Sequence, residues 1–267
     1  MATNAPLERH LKSLHLAAFV EQYADLAQDA QQEGWSYEQF LLALAEQEVA
    51  RRTLNRQRRL IQQARFPLRK ELADFDFACI PDLNRSRILH LADMSAYVPA
   101  AEPVIFVGNP GLGKSHLAIS LGLAACRQCF KTRFYNTAAL VNDLTLAQTE
   151  QRLPKLLAAA RQHDLIILDE FQRFRNLLDG TDDAGELAAK LFEWREVRVV
   201  LLSATPYKMY TCGAEVGQED HYRDFLRTMD FLLPDQEESE RLARLLKGYR
   251  QHLYALAEGD GAATAGA

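Results

Sequence analysis

Residues 108 to 115 read Gly-Asn-Pro-Gly-Leu-Gly-Lys-Ser, the G-x-x-x-x-G-K-[ST] spacing of a phosphate-cradling loop. Chemistry of this kind needs small residues where the backbone must curl, and Gly108, Gly111 and Gly113 supply them. With Asn109, Pro110 and Leu112 they would form a loop whose N–H groups, from every residue but Pro110, ring the phosphate oxygens. Lys114 would reach the β- and γ-phosphates of a nucleoside triphosphate, and the Ser115 hydroxyl would bind Mg²⁺. His116 follows directly and is expected to be a structural member of the helix that the loop opens. The field at that helix's N-terminus favours the anion further.

A second candidate lies 55 residues beyond Lys114. Leu-Ile-Ile-Leu at 165–168 reads as a buried strand that delivers Asp169 and Glu170 to its C-terminal end. Ligands of open α/β sheets bind outside such ends. Asp169 is expected to hold Mg²⁺ with Ser115, and Glu170 to polarise an attacking water. Lys114 and Glu170 are the candidate catalytic pair. Val199–Pro206 reads as another buried strand ending in polar residues, so Ser203 and Thr205 could sense a γ-phosphate or merely cap a turn before Pro206.

A third signal is charge. The chain carries a formal net charge of −5, yet between Arg51 and Lys70 there are eight basic residues and no acidic one. Arg51, Arg52, Arg56, Arg58, Arg59, Arg65, Arg69 and Lys70 suit phosphate contacts, arginine especially through its fork of donors. Such a cluster gives salt-dependent affinity for nucleic acid without base reading. A solvated helix face, or a surface that docks an acidic partner, would look the same in sequence. Cys126 and Cys129 form a single C-x-x-C with no second pair nearby, which supports packing rather than zinc. The four cysteines make no disulfide framework, and no apolar run is long enough to span a bilayer. A cytoplasmic setting is the expectation.

The elements needed to hold these residues follow from the hydrophobic rhythm. Residues 7 to 65 have helical periodicity, with Ser36 placed to cap a helix that runs into the arginine-rich stretch. A short helix is expected near Ile88–Leu91. From residue 103 strands alternate with helices: a strand before Gly108, a helix over Lys114–Cys126, a strand at 132–137, and helices around Ala138–Gln148 and Arg152–Gln162. Then come the strand before Asp169, a helix at Glu186–Trp194 and a strand from Val197. This alternation predicts an α/β fold, a P-loop NTPase with a mostly parallel sheet flanked by helices. A small helical N-terminal domain and a helical C-terminal end accompany it. The expected boundaries are a basic helical domain at 1–70, a linker and outer layer at 71–102, the ATPase core at 103–233, a helix at 234–258 and a tail at 259–267.

The stretches YEQFLLALAEQEVARR, ARFPLRKELADFDF and VIFVGNPGLGKSHLAISLGLAACR, and the spacing through RFYNTAALVNDLTLAQ to LIILDE, carry a resemblance. Residues 7 to about 170 resemble the ATPase helper of bacterial insertion sequences, IstB, and more distantly the helicase loader DnaC. The resemblance implies an AAA+ type ATPase that forms ATP-dependent homo-oligomers on duplex DNA and assists a DDE-type transposase. It implies ATP and Mg²⁺ as cofactors, nucleotide and metal binding by Lys114 and Ser115, metal and water duties for Asp169 and Glu170, and a basic N-terminal region around Arg51–Lys70.

After residue 170 the pattern departs from that family. The fourth strand is followed by Ser-Ala-Thr-Pro at 203–206 rather than a threonine–asparagine sensor. Neither a later strand nor an arginine-finger motif is apparent, although Arg223 and Arg227 are available. DEFQRFRNLLDG, LLSATPYKMY and DHYRDFLRTMDFLL resemble instead the first motor domain of a superfamily 2 DNA helicase, whose second motor domain would have to act in trans. Three functions remain open at this point. They are an ATP-dependent DNA-binding transposition helper, an incomplete helicase or translocase motor, and a low-turnover nucleotide-gated adaptor. Turnover, which needs the missing finger, is expected to be weaker than nucleotide binding.

Overall fold

The computed structural model describes residues 4–81, 83–94, 104–108, 111–170 and 198–203, together with Arg241, Arg244, Leu245 and Gly248, which are helical. The expected helix at Glu186–Trp194, the segment 207–240, Thr205, Arg223, Arg227, Asn109, Pro110 and the tail lie outside the described residues.

Three helices begin the chain: α1 (Ala5–Ser13), α2 (Ala17–Glu33) and α3 (Tyr37–Ala64). Gly34 ends α2 at φ +69°, a left-handed turn that a side chain would resist. Ser36 then starts α3 with a reciprocal capping box: the Gln39 N–H donates to Ser36 Oγ at 3.2 Å and the Ser36 N–H to Gln39 Oε1 at 2.7 Å. The start of α2 has no capping side chain of its own. Glu48, reaching across from α3, accepts the Ala18 N–H at 2.9 Å and is itself buried.

α3 has 28 residues, about 42 Å at 1.5 Å per residue, and it serves two neighbours. Its first half packs on α2. Its last turns bury Leu60 and Ala64 against Cys126 of the helix that follows the phosphate loop. Gln57 Nε2 donates to the Arg127 carbonyl at 2.6 Å, tying the same two helices. Cys126 is thus a packing residue, as its isolated C-x-x-C suggested. Two short 3-10 turns, Leu72–Asp74 and Phe77–Cys79, lead to α4 (Arg85–Ala92), which includes the helix expected at Ile88–Leu91.

The sheet contains β1 (Val104–Val107), β2 (Thr132–Asn136), β3 (Leu165–Asp169) and β4 (Arg198–Ser203), all parallel, in the order β1-β4-β3-β2. Side chains of β3 alternate between its two faces. Leu165 and Ile167 join a core with α5 (Lys114–Arg127), while Ile166 and Leu168 join one with α6 (Thr137–Thr149) and α7 (Leu153–Ala160). Burial on both faces is why β3 is apolar at four successive positions. Gly122 lets α5 lie directly on the sheet, since a Cβ there would stand 2.7 Å from both Ile167 and Phe66. Among the described residues no helix is long and apolar enough to cross a membrane. The architecture is the parallel sheet flanked by helices, with helical extensions at both ends, that the sequence rhythm predicts.

Candidate nucleotide site

Parallel strands end together, so their C-terminal residues share one edge. Gly108 follows β1 there, Asp169 ends β3 beside Asn136 of β2, and Ser203 of β4 pairs in register with Val107. Residues far apart in the chain meet because the sheet's connectivity returns each strand to the same edge.

The loop rises from β1 to α5. Gly111 and Gly113 have φ of +86° and +74°. At Gly113 a side chain is excluded twice, by the left-handed backbone and because its Cβ would lie 2.7 Å from Phe75 Cε2. No side chain caps the N-terminus of α5, and its first turn contains no acidic residue. The positive end of α5 is thus not neutralised by a capping side chain or a first-turn carboxylate, and its field favours an anion.

Lys114 Nζ donates to the Gly108 carbonyl at 2.7 Å, so its ammonium folds back over the loop. Burial holds its pKa below the ordinary lysine range, and the nearby Asp169 carboxylate pulls the other way. Ser115 Oγ lies 3.3 and 3.4 Å from the two Asp169 carboxylate oxygens. A hard, oxygen-seeking cation such as Mg²⁺ suits that donor set. Asp169 also accepts the Glu170 N–H at 3.0 Å through Oδ1. Glu170 adopts φ +56°, an uncommon conformation for a residue with a side chain, and strain of this kind clusters at functional sites.

The structure therefore brings Gly108, Gly111, Leu112, Gly113, Lys114, Ser115, His116, Asp169 and Glu170 to one edge, with the backbone of Ser203 alongside. Sequence reasoning missed two supports. Thr137, completely buried at the start of α6, donates its hydroxyl to the Asp169 carbonyl at 2.7 Å and fixes the end of β3. The segment 71–77 covers the loop: the His116 Nε2–H donates to the Glu71 carbonyl at 2.9 Å, and the Phe75 ring meets the His116 ring edge-on at 5.3 Å. The polar Thr137 directly after β2 was a legible signal; the return of Phe75 to Gly113 was not.

The basic run is divided. Arg51 pairs with Glu21 at 2.5 Å, Arg52 with Glu48 at 2.7 Å and Arg69 with Glu71 at 3.1 Å, while Arg56 donates to the Cys129 carbonyl at 3.3 Å. The side chains of Arg58, Arg59 and Lys70 are exposed and make no hydrogen bond or ion pair among the described residues. Arg65, also exposed, takes the left-handed C-cap of α3.

The chain is 34% identical over 164 residues to a protein of insertion sequence IS5376 from Geobacillus stearothermophilus described as ATP-binding, which covers 61% of this chain and 65% of the relative. It is 30% identical over 189 residues to an insertion-sequence protein of Sinorhizobium fredii, also described as ATP-binding, covering 71% of this chain and 63% of that one. The chain thus spans a little under two thirds of the length of these relatives. Among solved structures, AMPPCP-bound DnaA from Aquifex aeolicus aligns with a TM-score of 0.44 at 16% identity, over 53% of this chain and 44% of that one. The model of the IstB-like ATP binding protein family matches residues 9–211, through β4 and beyond residue 170, where a departure from that family was expected, and the chain belongs to that family.

Proposed function

We propose that the chain is an ATP-hydrolysing, DNA-binding helper of insertion-sequence transposition. The observation that carries the reading is the meeting of Ser115 and Asp169, 54 residues apart, beside Lys114 at the uncapped start of α5. The relatives' association with insertion sequences supports the setting. Bound ATP with Mg²⁺ would supply the electrophilic γ-phosphate. Lys114 would leave the Gly108 carbonyl to offset charge on the phosphate oxygens, Ser115 and Asp169 would hold the metal, and Glu170 would orient the attacking water. Ser203, beside Val107, and Thr205 are the proposed sensors. Duplex DNA would meet the exposed arginines of α3 in a cytoplasmic homo-oligomer, and a DDE-type transposase is the proposed partner.

The test is ATP turnover with and without duplex DNA, with DNA binding read in the same samples. DNA-stimulated turnover with ATP-dependent duplex binding is expected. Binding without turnover would identify an assembly-competent, hydrolysis-impaired protein. Stimulation by single-stranded DNA alone would favour a helicase-type motor. Nucleotide binding with neither DNA binding nor turnover would replace the helper with a nucleotide-gated adaptor.

A further inference from the structure

Away from the nucleotide edge, a cavity of about 630 Å³ opens where the end of α3, the start of β2 and the end of α7 converge. Its wall includes Gln62, Arg65, Lys131, Arg133, Gln162 and His163. Because β2 is five residues long and parallel to its neighbours, the cavity and the phosphate loop lie at opposite ends of the sheet, separated by roughly 15 Å along the strand direction at about 3.3 Å per residue.

Three cations line this space and no carboxylate does. The nearest acidic neighbour in sequence, Asp164, is engaged by the Lys131 N–H at 2.7 Å. Arg133 is held in place from two sides: a terminal nitrogen donates to the Gln63 carbonyl at 2.8 Å, and the guanidinium lies 5.2 Å from the centroid of the Tyr135 ring. Its Nε is buried and has no hydrogen-bond partner. A buried donor without an acceptor is costly. His163 completes the wall. Its Nδ1–H donates to the Ala160 carbonyl at 3.1 Å, which leaves Nε2 as the variable nitrogen.

We propose that this cavity is a second anion site, separate from the phosphate loop, that takes a phosphate group through Arg65, Lys131 and Arg133. Arg58 of α3 stands seven residues before Arg65, the C-cap of that helix, about two helical turns away. A track of this kind fits a nucleic-acid backbone better than an isolated ion. Guanidinium forks match phosphate oxygens bidentately. Burial, with added repulsion from Arg133 and Lys131, keeps the His163 pKa below the usual imidazole range, against the opposing Ala160 carbonyl bond and Asp164. A bound phosphate would reverse that balance, because an adjacent negative charge favours the imidazolium.

The experiment follows the His163 ring resonances of the full chain against pH, in the Lys114→Ala background so that the phosphate loop does not compete. Inorganic phosphate and a short DNA duplex are added in separate arms at matched ionic strength. The His163 midpoint is expected to rise by about one unit with the duplex, and the rise should vanish in Lys131→Gln/Arg65→Asn. Asparagine tolerates the left-handed backbone at position 65, and an unchanged thermal midpoint would confirm that the double variant folds. A shift with inorganic phosphate alone would keep the site and assign it to a free phosphate. No shift in either arm, or a shift that survives the double variant, would overturn the proposal.

Discussion

The C-terminal edge of the sheet and the arginine-rich half of α3 were both conspicuous in the sequence, and the structure treats them in opposite ways. At the sheet edge, Lys114, Ser115, Asp169 and Glu170 come from two distant segments and converge. Along α3 and the residues after it, basic residues that are neighbours in sequence go to different partners: Arg51 to Glu21, Arg52 to Glu48, Arg56 to a backbone carbonyl, and Arg58 and Arg59 to solvent. A spacing motif encodes backbone geometry, so its residues inherit their positions from strand ends. A run of like charge encodes only a composition, and each member's role depends on what folds against it.

The largest expected effects are at the edge. Glu170→Gln should lower ATP turnover by about 10²–10⁴-fold, the range for a lost general base, while ATP affinity stays close to that of the parent. A fully active variant would mean that another group orients the water. Lys114→Ala should weaken ATP binding by roughly 10–100-fold, as for loss of a charged hydrogen bond of about 1.5–3 kcal/mol. Unchanged affinity measured by calorimetry would break the comparison, because the converged edge would then not be the nucleotide site.

Much of this edge was legible for a physical reason. The strand before Asp169 is apolar at every position because both its faces are covered, and the glycines at 111 and 113 adopt backbone angles that side chains resist. These constraints act through near neighbours in sequence. What stayed hidden acts through space. Phe75 returns to Gly113 across a separation of 38 residues, and Arg133 reaches the Gln63 carbonyl across 70. Glu48 is the plainest case: its place in the chain gives no sign that it caps a different helix. Residues 1–70 read as a basic domain of their own, yet Leu60 and Ala64 pack against Cys126 in the α/β core. Hydrophobic periodicity shows that a face is buried but not which partner buries it.

Glu48 sharpens the comparison at intermediate size, because it shows one arginine of the run committed to folding. Burial pushes its carboxyl pKa up, but the Ala18 N–H and Arg52 outweigh this and leave it below the ordinary 4.5. A group whose folded pKa is depressed stabilises the fold above its unfolded pKa and loses that contribution as pH falls through the folded value. The helical hairpin of α2 and α3 should therefore lose stability below about pH 4.5 in the parent. Glu48→Ala should cost about 1–3 kcal/mol at neutral pH, the penalty for leaving the Ala18 N–H without its acceptor, and should flatten that acid limb in chemical denaturation. An unchanged acid limb would show that Arg52 is not held by this carboxylate.

The smallest effect divides the basic run itself. Arg58→Gln/Arg59→Gln removes two exposed guanidiniums with no partner among the described residues, so the thermal midpoint should hardly move. Duplex affinity should fall, and the slope of log affinity against log salt should flatten by about 1.8, near 0.9 for each phosphate no longer neutralised. Arg51→Gln/Arg52→Gln removes two residues that already hold Glu21 and Glu48, so it should lower the thermal midpoint and change the salt slope less. Fluorescence anisotropy across a salt series, with unfolding of the same samples, separates the two. If both pairs flatten the slope equally, the ion pairs of Arg51 and Arg52 exchange freely with phosphate, and the division of labour along α3 is not real. If only Arg58 and Arg59 do so, a charge cluster that looks uniform in sequence is partitioned by its tertiary neighbours into a folding half and a binding half.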